Sequence, residues 1–112
     1  MRVEDFRKVV NKQLDICESI LLIKAKEYAD DEDRLHNFVV ASELQGVTLE
    51  EALGGLMAKH TVSIYDMIKG VGNGKSYSMY TWDEKITDHI NYLLLLKAIV
   101  TESNQEVPQK SN

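Results

Sequence analysis

The chain is poor in the residues that build turn-rich or cross-linked folds. It has a single cysteine, Cys17, so no intrachain disulfide can form, and a reducing cytoplasm is its natural setting. Cys17 falls in an apolar stripe, where a small buried hydrophobe is the expected use. One proline and six glycines leave little material for the many tight turns of a β-sandwich. Basic charge is also short. A formal net charge of −5 argues against a general nucleic-acid binder, which needs a basic face. Long hydrophobic runs are missing: the longest, Tyr92 to Leu96, is far below the ~20 residues of a membrane span. The N-terminus is charged and amphipathic, unlike a secretory signal.

What is present fits one soluble all-α domain. A length of 112 residues suits one domain with its own core, and 44% hydrophobic with 28% charged residues is an ordinary globular balance. From Val3 to about Ala29 the apolar residues Val3, Phe6, Val10, Leu14, Cys17 and Leu21 recur every three or four positions, the pattern of one helix face. The acidic run Asp30 to Asp33 opposes the helix dipole and should end this helix. Arg34 to Gly46 predicts a short second helix, at least from Phe38, with Gly46 as its C-terminal cap. Thr48 with Glu51 forms a capping box for a third helix running to about Lys69. The Gly54-Gly55 pair inside it costs roughly 1 kcal/mol per glycine, which a close helix contact would offset. After a polar, glycine-rich connector, Thr81 with Glu84 reads as another capping box, opening a last helix to about Thr101. The Tyr92–Leu96 run is apolar on all sides and predicts the most buried helix. The expectation is a bundle of four to five helices over residues 1–101, followed by a polar, flexible tail over 102–112. The long first helix, the glycine pair and the apolar last helix exceed what one small bundle can bury, so a homodimer or homotetramer is expected.

Several polar residues interrupt these apolar faces. Continuing the first helix's stripe beyond Leu21 reaches Lys24, Glu27 and Tyr28. On the third helix His60 lies between Leu56 and Ile64, with Lys59, Ser63 and Asp66 beside it. On the last helix Glu84, Asp88, Asn91 and Leu95 share a face that runs into the apolar segment. A carboxylate and an amide leading into buried surface are costly unless paired or metal-bound. If the three helices pack together, Glu27, His60, Asp66, Asp88 and Asn91 line one pocket with Lys24 and Lys59. Oxygen ligands suit Mg²⁺ or Mn²⁺, and lysines suit phosphate oxygens, which outlines a nucleoside-triphosphate site. The bland alternative is a hydrogen-bond network that sets the register of the bundle.

Gly74-Lys75-Ser76 resembles the end of a phosphate-binding P-loop, but Lys69 stands where that motif needs its first glycine and a helix precedes it instead of a strand. Tyr77, Tyr80 and Trp82 nearby could stack on a base, although packing against the bundle end is their simpler use.

The segments Lys24-Ala-Lys26-Glu27-Tyr28, Asp33-Arg34-Leu35-His36-Asn37-Phe38, Lys59-His60 with Ser63, and Trp82 to Leu93 resemble small proteins of phages and prophages of Gram-positive bacteria. Lys-x-Lys-Glu-Tyr and Asp-x-x-Asn-Tyr also resemble nucleotide-modification-associated phage domains, and distantly the MazG-like, all-α nucleotide pyrophosphohydrolases. The resemblance covers about residues 18 to 100. It implies an oligomeric helical bundle in the host bacterial cytoplasm that cleaves an NTP or dNTP to the monophosphate and pyrophosphate with Mg²⁺. On this resemblance Glu27 and Asp88 hold the metal and are catalytic, with Glu84 or Asp66 as a further ligand or base. Lys24, Lys59 and Arg34 contact phosphates, while His60 and Asn91 belong to the substrate site. Nucleic acid and membrane are not expected partners. The chain departs from the MazG pattern at two points: it has no Glu-x-x-Glu, and its last-helix motif is Asp88-x-x-Asn91, one carboxylate fewer. Two alternatives therefore stand beside the enzyme. One is a protein that binds or sequesters a nucleotide without turnover, and the other is a helical-bundle interaction protein.

Overall fold

A computed structural model describes residues 1–28 and 35–106, with the side chains of residues 1–23 and 35–105. The described residues form four helices and no strands: α1 (Val3–Tyr28), α2 (His36–Gln45), α3 (Leu49–Gly72) and α4 (Met79–Glu106). The fold is all-α. α3 packs most extensively on α4, α2 lies on α3, and α1 lies on α4. The helices thus pack in the order α2, α3, α4, α1. No helix among the described residues is long and apolar enough to cross a membrane.

Local chemistry accounts for most helix ends. Gly46 takes the left-handed backbone (φ 67°) after α2 and gives its N–H to the Glu43 carbonyl at 3.2 Å. The Val47 N–H reaches the Ser42 carbonyl at 3.0 Å, completing a Schellman motif. At the start of α3 the Thr48 Oγ1 accepts from the Glu51 N–H at 3.1 Å, and the Glu51 carboxylate accepts from the Thr48 N–H at 3.4 Å. Such a cap is worth about 1 kcal/mol. α4 departs from the sequence expectation. It begins at Met79, with the Ser78 Oγ accepting from the Thr81 N–H at 3.1 Å, so Ser78 caps the helix and Thr81 lies inside its first turn. α3 extends to Gly72 and α4 to Glu106, each beyond its expected end, and neither extension contains a proline.

The core is small. Leu35, Leu53 and Ile99 are buried together, and Phe38, Leu49, Tyr92, Leu95 and Leu96 pack around them. Fully burying a side chain such as Leu53 or Ile99 stabilises the fold by about 1.5–3 kcal/mol. Leu53 with Ile99, and His60 with Tyr92, pair rising numbers on α3 with falling numbers on α4, so these helices are antiparallel. Buried Ser42 is satisfied by donating to the Val39 carbonyl at 2.7 Å.

Three packing expectations are corrected. On α1 the residues facing α4 are Gln13, Ile16, Cys17 and Ile20, while Val3, Phe6, Val10 and Leu14 of the expected inward stripe are exposed. The contact is rotated from that stripe, and residues 1–12 stand clear of the body. On α4, Leu93 and Leu94 remain exposed, because none of the described helices covers that side. Gly54 and Gly55 have no close neighbour where a Cβ would stand, so no tight helix contact explains the pair.

Candidate functional site

The α3–α4 contact gathers most of the polar groups. His60 on α3 meets Tyr92 on α4 with ring centroids 4.8 Å apart and planes tilted by 50°. Burial raises the Tyr92 hydroxyl above the usual tyrosine range, and the Asp88 carboxylate one turn before it adds to the shift. At ordinary pH the Tyr92 phenol is therefore a protonated donor.

Asn91 is next to Tyr92 and only 7% exposed. Its Oδ1 is out of contact with solvent and has no hydrogen-bond partner. The Nδ1 atoms of His60 and His89 are in the same state. A buried unpartnered polar atom costs about 1–3 kcal/mol, so three such atoms among the described residues need a reason.

A second polar contact joins α4 to α1. Thr87, one turn before Asn91, is 1% exposed and accepts from the Gln13 Nε2 at 2.7 Å. The same Gln13 nitrogen lies 3.4 Å from the Cys17 Sγ. Thr87 and Asn91 thus form a buried polar strip on α4 between α1 and α3. One of its members is satisfied and the other is not.

The expected site residues divide across this arrangement. His60 lies at the α3–α4 contact against Tyr92, and Asp88 stands near Tyr92, both half-buried, while Asn91 is buried on α4. Along the shared face of α4, depth increases from exposed Glu84 through half-buried Asp88 to buried Asn91. Lys59 and Asp66 are exposed on α3 and do not share the inward side that holds His60. Ser63 is half-buried. Arg34 lies outside the described residues, as do the side chains of Lys24 and Glu27 on the last turns of α1. Sequence reasoning passed over Gln13, Thr87 and Tyr92. Gln13 stands four before Cys17 and Thr87 four before Asn91, so helical spacing carried a signal for both.

The aromatic connector is occupied by its own packing. The Tyr77 ring lies over Gly70 and meets Trp82 edge-on, with centroids 5.8 Å apart. Tyr80 is exposed.

Among the described residues no three His, Cys, Asp or Glu side chains stand together as a metal cluster. The donor set that fits a hard cation is the Asp88 carboxylate with the Asn91 amide oxygen, three residues apart on one helix. Mg²⁺ is commonly held by one or two protein oxygens, with substrate phosphates and water completing its shell. The Asp88–Asn91 pair suits that mode of binding better than an all-protein cage. Comparison with protein-family models, with curated proteins and with solved structures finds no match to this chain.

Proposed function

We propose that this chain is a phage-encoded nucleotide-handling protein, a metal-dependent pyrophosphohydrolase of the MazG-like, all-α kind acting on an NTP or dNTP. The observation that carries the reading is the buried, unpartnered Asn91 Oδ1 one turn from the Asp88 carboxylate. An acceptor held dry and unused is what a ligand donor or a cation would satisfy. Asp88 and Asn91 would hold Mg²⁺, or Mn²⁺, together with Glu27, and Glu84 on the same face of α4 would serve as a further ligand or base. When bound, the metal would stabilise charge developing on the leaving pyrophosphate. His60 and the protonated Tyr92 phenol would orient the nucleotide by hydrogen bonds and ring contact. Lys24 and Arg34 would meet the phosphates.

The second reading is nucleotide binding without turnover. It is favoured by Asn91 itself, an amide where the MazG pattern has a carboxylate. Pyrophosphate release from a panel of NTPs and dNTPs with Mg²⁺ or Mn²⁺ separates the two. The enzyme reading expects turnover that Asp88→Ala abolishes. Stoichiometric binding in calorimetry with no product selects the binder. Neither product nor binding removes both and leaves an interaction protein.

A further inference from the structure

The α3–α4 connector begins with Asn73-Gly74, the one Asn-Gly pair in the sequence. Asparagine is a thermolabile residue. A following glycine removes the steric bar to its loss, because without a Cβ the glycine nitrogen can close on the carboxamide carbon of the residue before it. Both residues are exposed, and nothing lies within 4 Å of where a Gly74 Cβ would stand. Water and base therefore have free access. Asn11, Asn37, Asn91 and Asn104 lie inside α1, α2 and α4, and none of them precedes a glycine.

The fold holds this pair in a form that does not react. Asn73 caps α3 with φ −98° and ψ 15°, which turns the Gly74 nitrogen away from the Asn73 side chain. The Gly74 N–H donates to the Val71 carbonyl at 3.1 Å, and the Asn73 N–H to the Gly70 carbonyl at 3.0 Å. The Lys75 N–H returns to the same Gly70 carbonyl at 2.8 Å. Gly74 has φ 86°, in the left-handed region that glycine adopts freely. The half-buried Tyr77 ring lies over Gly70 and meets Trp82 edge-on, so it ties the last turn of α3 to the first turn of α4. A helix end of this kind opens locally at a lower cost than the whole fold does.

We propose that Asn73 is a self-modification site, which deamidates only when the last turn of α3 opens. Once the bond to Val71 is broken, the Gly74 nitrogen gives up its proton to base and attacks the Asn73 Cγ. The new C–N bond closes a succinimide ring, and the Cγ–Nδ2 bond breaks. The side-chain nitrogen leaves as ammonia, taking a proton from solvent. Water then opens the ring. Attack at Cγ gives aspartate, and attack at the main-chain carbonyl gives isoaspartate, whose backbone runs through Cβ and Cγ. Water is the only co-reactant, and nothing is oxidised or reduced.

Either product undoes the cap that delays it. A carboxylate at the C-terminal end of α3 opposes the helix dipole. The isoaspartate link is longer by a methylene, so the Gly74–Val71 and Lys75–Gly70 bonds lose their register. Tyr77 then loses its seat on Gly70, and the connector is released from α3. The site does not depend on which ligand the polar strip of α4 takes.

Peptide mapping by mass spectrometry tests it, on the full chain incubated at mildly alkaline pH with and without guanidinium chloride. In the native wild type, conversion should fall on Asn73, with isoaspartate as the major product and the helical asparagines intact. The native rate should be several-fold below the rate in guanidinium, because the cap must open first. Tyr77→Ala leaves the Asn-Gly pair in place and frees the last turn of α3. It should convert several-fold faster than wild type in buffer and at the wild-type rate in guanidinium. Tyr77→Phe keeps the ring and should match wild type in both. A native Asn73 that stays intact while the unfolded chain converts overturns the site, as does conversion spread evenly over the asparagines. Equal native and unfolded rates in the wild type overturn control by the cap, a result that needs no variant to fold. A Tyr77→Ala variant with wild-type helicity by circular dichroism and the wild-type rate overturns it as well.

Discussion

The Gln13 amide donates to the Thr87 hydroxyl at 2.7 Å, joining α1 to α4 across 74 residues of chain. This bond helps to orient α1 on α4, because Thr87 is fully buried and, among the described side chains of α1, the apolar ones that are not exposed are Ile16, Cys17, Ile20 and Leu21. Thr87→Val keeps the shape and removes the acceptor, leaving the amide with only the weak Cys17 sulfur. We expect a loss of about 1–2 kcal/mol in urea unfolding. Adding Gln13→Leu should recover part of that loss, because replacing both partners removes the orphaned group. A double-mutant cycle without coupling would show that the bond is incidental.

Asn91→Leu should act in the opposite direction on stability. The Asn91 Oδ1 is buried without a partner, so the amide is a cost in the unliganded fold. Replacing it with an apolar side chain of similar volume should raise stability by roughly 1 kcal/mol. The same change should eliminate nucleotide binding. A destabilised Asn91→Leu variant would mean that the amide already has a partner.

Tyr92 predicts an alkaline limit. Its hydroxyl is raised, first by burial and then by the Asp88 carboxylate. A raised folded-state value means that the native state favours the protonated phenol. That contribution is fully present below the ordinary tyrosine value of about 10 and is lost as pH rises through the raised value. Absorbance titration of tyrosinate, with Tyr92→Phe as the difference standard, should show one tyrosine ionising late. Asp88→Asn should lower its midpoint only in part, because burial is the larger cause.

Gly70→Ala should disturb the connector and not the site. A Cβ at Gly70 would run into the Tyr77 hydroxyl, with the ring Cζ at 3.1 Å and Cε2 at 3.2 Å. The ring would have to move and give up its edge contact with Trp82. We expect a loss of about 1–3 kcal/mol and a shift in tryptophan fluorescence. In a Tyr77→Ala background the same substitution should have little further effect.

The helices were legible in the sequence where chemistry is local. Thr48 with Glu51, and Gly46 after Gln45, mark their helix ends through bonds between near neighbours. Ser78 displaced Thr81 as the cap of α4 because both have a hydroxyl at a permissible position, and only the path of the connector decides between them. Periodicity found the stripes on α1 and α4. It could not say whether another helix of the same chain faces them, so Phe6, Leu93 and Leu94 were expected inside and lie outside. The inward placement of Asn91 followed from its apolar flanks. Thr87 and Gln13 were missed because such residues inside a helix usually face water, and only the α1–α4 contact buries them.

Thermal unfolding across a panel of NTPs and dNTPs with Mg²⁺, run on the wild type and on Asn91→Leu, tests the nucleotide reading most directly. Ligand at one hundred times its dissociation constant stabilises the native state by about 2.7 kcal/mol, which moves a domain of this size by roughly 10 °C or more. The account predicts such a rise for at least one nucleotide with the wild type, and none with Asn91→Leu despite its higher starting stability. A wild type whose melting temperature no nucleotide moves, or an Asn91→Leu variant that responds as the wild type does, would contradict it.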